Sequence, residues 1–96
     1  MNRQQALETL SKLKPQLVER FGVTRLALFG STVRDEAKPG SDIDVVVAFD
    51  SPATSAKYFG VQFYLEDELG APVDLVTENA IRPELRTFIE QEAINV

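Results

Sequence analysis

The stretch from Phe29 to Asp44, FGSTVRDEAKPGSDID, constrains this chain more than any other. It follows an apolar run, turns at Gly30-Ser31, and ends in two acids at the mouth of Val45-Val46-Val47. Side chains alternate along a strand, so Asp42 and Asp44 point to one side and Ile43 to the other. Their Cα atoms then stand roughly 6.6 Å apart. Like charges at that spacing repel unless a cation joins them. Acids are also poor strand formers, so a pair on one strand face asks for a reason other than folding. Gly30 lets the backbone turn tightly and come close to a ligand. Ser31 is suited to begin a short helix over Thr32 to Glu36, whose free N–H groups would receive a phosphate.

The composition narrows the chemistry. The chain has 96 residues, 44% of them hydrophobic and 26% charged, which predicts one soluble domain spanning residues 1–96. No apolar run approaches the ~20 residues of a membrane span. The start, MNRQQALETL, has no apolar core of a secretory signal, so a cytoplasmic location is expected. Cysteine and histidine are both absent. That excludes a disulfide framework, a thiol nucleophile, a Cys/His zinc site and histidine acid–base catalysis. Any metal must be held by oxygen, which favours Mg²⁺ or Mn²⁺. The net charge of −5, without a Lys/Arg cluster, argues against a long nucleic-acid track.

Along the rest of the chain, Asn2 is positioned to cap a first helix. Ala6, Leu7, Leu10, Leu13, Leu17 and Phe21 recur at helical spacing. Pro15 predicts a kink or restart, and Gly22 a stop. Thr24 to Phe29 reads as a strand, with Leu26 and Leu28 on one face and Ala27 and Phe29 on the other. Asp42 to Phe49 reads as a central strand covered on both faces by helices. Thr54 or Ser55 caps a helix ended by Gly70, in which Gly60 is an uncomfortable residue. Its aromatic residues Tyr58, Phe59, Phe63 and Tyr64 read first as core, and as a partner-facing patch if exposed. Ala71 to Thr77 reads as a third strand, where Asp74 is costly to bury unpaired and becomes sensible if it faces Asp42 and Asp44, the alternative being a solvated surface acid. Pro83 opens a last helix with Leu85, Phe88 and Ile89 inward, and Ala93 to Val96 adds a short strand or frays. Arg34 has two roles open to it, contact with a triphosphate or pairing with Asp35, Glu36 or a distant carboxylate. Arg82 is a weaker candidate for the same contact. The pattern is an α/β fold: a small mixed sheet of three or more strands flanked by helices.

Gly30-Ser31, Arg34, then Ser41-Asp42-Ile43-Asp44, with Pro72-Val73-Asp74-Leu75-Val76 further on, resembles the signature of the DNA-polymerase-β-like nucleotidyltransferases. The tighter resemblance is to their minimal branch, the MNT-domain proteins, and it covers nearly the whole chain. It implies the polymerase-β-like nucleotidyltransferase fold and a third carboxylate at Asp74. It implies that Asp42, Asp44 and Asp74 are the catalytic, metal-binding acids holding two Mg²⁺ ions, and that Gly30, Ser31 and Arg34 bind the nucleotide. It also implies ATP as donor, and a HEPN-domain toxin as partner, silenced by AMP transfer to a tyrosine hydroxyl. Two other classes compete. A non-catalytic module would neutralise a partner by occupying its surface, and a subunit of a small-molecule nucleotidyltransferase would need another chain to complete its pocket. A sugar-nucleotide glycosyltransferase also uses Asp-x-Asp, but it leaves Gly30-Ser31 without a role.

Overall fold

A computed structural model of the chain describes residues 1–96. Helix α1 (Arg3–Phe21) starts at Asn2, which accepts from the Gln5 N–H while the Gln5 side chain accepts from the Asn2 N–H. This reciprocal cap satisfies two donors that a helix start otherwise leaves open. Ala6, Leu10, Leu13 and Leu17 are its buried stripe. α1 runs through Pro15 without a break, so the helix does not restart there. The hydrogen bond it removes would have gone to the carbonyl of Ser11, and both residues face solvent, where water can replace it. Gly22, at φ 72°, ends the helix in the left-handed conformation.

Strands β1 (Val23–Phe29) and β2 (Ile43–Phe49) pair antiparallel. Helix α2 (Ser55–Leu69), capped by Thr54, carries the chain from β2 to β3 (Val73–Thr77), which runs parallel to β2. A parallel pair needs such a crossover. After a short 3₁₀ turn at Glu78–Ala80, α3 (Pro83–Glu92) leads to β4 (Ile94–Asn95), antiparallel to β1. The four-stranded mixed sheet has the order β3-β2-β1-β4, which puts β2 inside it, but helices do not cover both faces of β2 as expected: α1 and α2 lie on one face and only the end of α3 reaches the other.

Period-two alternation sorts the sheet into two unlike faces. Leu26, Leu28, Val45, Val47, Val73 and Leu75 join the stripes of α1 and α2 in the main core. Gly60 lies where α2 meets the end of α1: a Cβ there would stand 2.5 Å from the Phe21 ring. Close helix packing therefore explains a glycine that helix propensity disfavours. Tyr58 reaches the sheet and donates to the Leu75 carbonyl. Phe59 and Phe63 instead turn outward, 48% and 59% exposed, and stack at 6.1 Å, so they are not core.

The other face holds a second, smaller cluster of Ala27, Val46 and Ile81, with Ile89 and Ala93 of the α3 end against it. The inward stripe expected on α3 is largely wrong. Leu85 and Phe88 are 48% and 62% exposed, and only Ile89 packs inward. The apolar strip on this face is narrow, because Arg25, Asp44 and Asp74 occupy positions around it. Arg25 ties α3 and β4 to the sheet. It donates to both oxygens of Glu90 at 2.6 and 2.8 Å, to Glu78 at 2.9 Å and to Asn95 Oδ1 at 2.8 Å. These contacts, Glu90 first, push the Arg25 guanidinium further up and hold the Glu90 carboxyl below its ordinary range.

Candidate active site

The pairing register builds the site. Asp44 on β2 lies opposite Phe29 on β1 and Asp74 on β3. Neighbouring strands run about 4.8 Å apart, so the two carboxylates stand side by side on the face away from the main core. Asp42 precedes β2 by one residue and is exposed. Burial, then the charge and hydrogen bond of Asp74, then the charge of Asp42, push the Asp44 carboxyl up to about 6, against the pull of Arg34. The structure thus brings Asp44 and Asp74 together, with Asp42 near enough to be felt. No three acids converge into a ready-made metal cluster. Hard oxygen donors of like charge fit a divalent cation, which would offset the burial and the repulsion that together raise Asp44.

The turn after β1 lies against these acids. Gly30 has φ 76°, and a Cβ on it would fall inside the Asp44 carboxylate. Only glycine therefore lets the backbone N–H approach at this point. The residues that follow are turns, not the short helix expected over Thr32 to Glu36. The Arg34 N–H reaches the Gly30 carbonyl at 3.3 Å, and the Glu36 N–H reaches the Ser31 carbonyl at 2.8 Å. Asp35 then takes φ 56°, which turns the chain back before a second helical turn forms. Backbone and side-chain donors, rather than a helix dipole, form whatever anion seat exists here.

The donors of this turn are engaged from within the chain. The Gly30 N–H donates to Glu92 Oε1 at 2.8 Å, and Arg34 Nη1 donates to Glu92 Oε2 at 2.8 Å. Arg34 Nε also meets Glu36 at 3.2 Å. Arg34 thus takes the carboxylate-pairing role of the two left open, and Glu92, then Glu36, push its guanidinium further up. Ser31 is half-buried in the turn, while Arg82 is exposed at the start of α3. Sequence reasoning missed Glu92, since nothing local marks a residue 62 positions from Gly30 as its partner. It also missed Arg25, although alternation with Ala27 and Phe29 placed it on this face.

The acids lie on an open surface. None of Gly30, Ser31, Arg34, Asp42, Asp44 and Asp74 lines a cavity. One cavity of about 340 Å³ sits at the far end of β2, by Phe49, Pro52 and Thr77.

The model of the nucleotidyltransferase domain family matches residues 10–96. This chain belongs to that family. It is a nucleotidyltransferase. The protein adenylyltransferase MntA of Thermococcus cleftensis is 38% identical over 87 residues, 91% of this chain and 88% of that protein. A candidate protein adenylyltransferase of Methanocaldococcus jannaschii is 39% identical over 90 residues, 93% of this chain and 92% of that one. Among solved structures, a candidate minimal nucleotidyltransferase superposes with a TM-score of 0.84 at 34% identity, covering 100% of this chain and 97% of that one. A chain from the complex of a tri-AMPylated Shewanella oneidensis HEPN toxin with its MNT antitoxin superposes at 0.69, covering 97% of this chain and 70% of that one. At 19% identity the latter shows a shared fold alone. The nucleotidyltransferase domain here is thus the minimal form, an α/β sheet with the Asp44–Asp74 pair on its open face.

Proposed function

We propose that this nucleotidyltransferase transfers AMP from ATP to a hydroxyl of a partner protein, a tyrosine of a HEPN-domain toxin, and so acts as its antitoxin. The observation that carries this reading is the Asp44–Asp74 pair beside the Gly30–Arg34 donors on an open face. A phosphate seat and a carboxylate pair suit nucleotidyl transfer, and the lack of a cavity leaves room for an acceptor that brings its own surface. The adenylyltransferase names of the relatives, and the AMPylated toxin of the structural neighbour, support AMP as the group and a HEPN protein as the acceptor.

Asp42, Asp44 and Asp74 are the residues that would hold Mg²⁺, as two ions, with Mn²⁺ as a substitute. When bound, the metal neutralises the triphosphate and lowers the pKa of the acceptor hydroxyl. The chain's own groups do the rest. The Gly30 N–H, Ser31 and Arg34 hold the β- and γ-phosphates and so fix the α-phosphorus before the acids. Asp74, the more exposed of the paired acids, takes the proton of the acceptor hydroxyl. The freed oxygen bonds to the α-phosphorus, the bond to the bridging oxygen breaks, and pyrophosphate leaves with its electron pair.

The test is coexpression with the protein of the neighbouring reading frame, followed by intact mass. Wild type is expected to add whole AMP units, and Asp42→Ala/Asp44→Ala to lose at least about 100-fold in rate. Equal labelling by both would remove the enzyme. A tight, unmodified complex with wild type would favour the binding module instead, a reading that the missing three-acid cluster keeps in play.

A further inference from the structure

We propose that Glu92 is an internal competitor for the triphosphate, a latch that must leave the anion seat before a nucleotide can enter. The inference rests on the nucleotide-binding role given above to Gly30 and Arg34, and it adds the regulation of that seat. Glu92 presents its two oxygens to two different donors, each at 2.8 Å: the Gly30 N–H and the Arg34 guanidinium. A phosphate would use the same donors in the same way. Two anions cannot share them.

The position is not accidental packing of a loose tail. Glu92 is the last residue of α3, and Arg25 grips Glu90 two residues earlier through both carboxylate oxygens. The helix end is thereby held where its final acid meets the turn. The Glu92 side chain is 17% exposed, against 41% for Arg34. The carboxylate is thus the better shielded partner, yet it sits at a helix end from which rotation of its side chain can free the seat. It also adds negative charge beside Gly30, whose backbone lies against the Asp44 carboxylate. A triphosphate arriving with a cation would relieve that crowding, and Glu92 alone does not. Only the fraction of molecules with Glu92 out is competent to bind, so the apparent affinity falls by that fraction.

The experiment uses the full chain and inorganic tripolyphosphate in the presence of Mg²⁺, titrated calorimetrically. Glu92→Gln keeps the shape and removes the charge; Glu92→Asp keeps the charge and shortens the reach so that both donors cannot be met. Both variants are expected to bind tripolyphosphate tighter than wild type, Glu92→Gln by about tenfold for a seat open in roughly a tenth of molecules. The Gly30 amide resonance should move in both variants, and tripolyphosphate should move it further. Affinity equal to or weaker than wild type in both, or no binding by any of them, overturns the latch. Should AMP transfer fail in its own assay while the variants still bind more tightly, the latch stands and the transferase falls. The reverse pattern removes the latch and leaves the transferase.

Discussion

On one face of the sheet, Leu26, Leu28, Val45, Val47 and Leu75 are sealed beneath α1 and α2. On the other, residues adjacent to them in sequence are Arg25, Asp44 and Asp74, partly covered by α3 and open at the acids. The same strands thus meet opposite demands. The sealed face excludes water and stabilises the fold through apolar burial. The open face keeps like charges side by side, an arrangement that opposes folding. Stability and chemistry are therefore separable here by side-chain parity along three strands.

The strongest way to break that separation is through the sealed face. Leu26 is fully buried, so Leu26→Ala should lower stability by roughly 3 kcal/mol and Tm by more than about 10 °C. Below its melting point the variant should keep its transfer activity, checked by denaturant melts beside a labelling assay. If activity vanishes while the fold persists, the two faces are not independent.

Arg25 should give a smaller effect. Its loss leaves Glu90 and Glu78 unpaired on half-covered ground, and Arg25→Ala should lower stability by about 2 kcal/mol. Hydrogen exchange should rise first in α3 and β4, with the strands under α1 unchanged; uniform loosening would contradict the role given to Arg25.

Asp44 should act in the opposite direction. Its carboxyl is raised from 3.8 to about 6, so in that window the folded chain holds a proton that the unfolded chain releases. Stability therefore falls as pH rises from about 4 to about 6, and the deficit persists above. In EDTA, Asp44→Asn should gain about 1 kcal/mol at pH 7.5, discounted for partial exposure, and nothing at pH 3.5. Mg²⁺ should raise the Tm of wild type but not of this variant. A pH-independent gain, or an equal Mg²⁺ response, would detach the metal from this residue.

The smallest effect is expected at the outward aromatic pair. Phe63→Ser should change stability by no more than about 0.5 kcal/mol, because the ring is 59% exposed. A larger loss in a urea titration would mean that α2 depends on the Phe59–Phe63 stack.

Much of this was legible locally. The Asn2 and Thr54 caps, the Gly22 and Gly70 stops, Pro83 at the start of α3 and the alternation in β1, β2 and β3 are short-range effects, and each appears where the pattern put it. The failures have physical causes too. Pro15 was tolerated because its lost hydrogen bond faces water. Thr32 to Glu36 stayed a turn because Asp35 went left-handed. Leu85 and Phe88 stayed outside because the face that α3 covers offers little apolar area.

What the chain's order of residues determined by itself is the two-sided strand: Asp44 and Asp74 on one face, Ile43, Val45, Val73 and Leu75 on the other, and a glycine at the turn. Those follow from the period of two and from the allowed backbone angles, which need no partner. Tertiary structure alone decided that Asp44 would adjoin Asp74, that Arg25 would hold α3, and that Glu92 would accept from both Gly30 and Arg34. Each of these joins residues dozens of positions apart, and only strand register and helix docking determine which side chains meet across such distances.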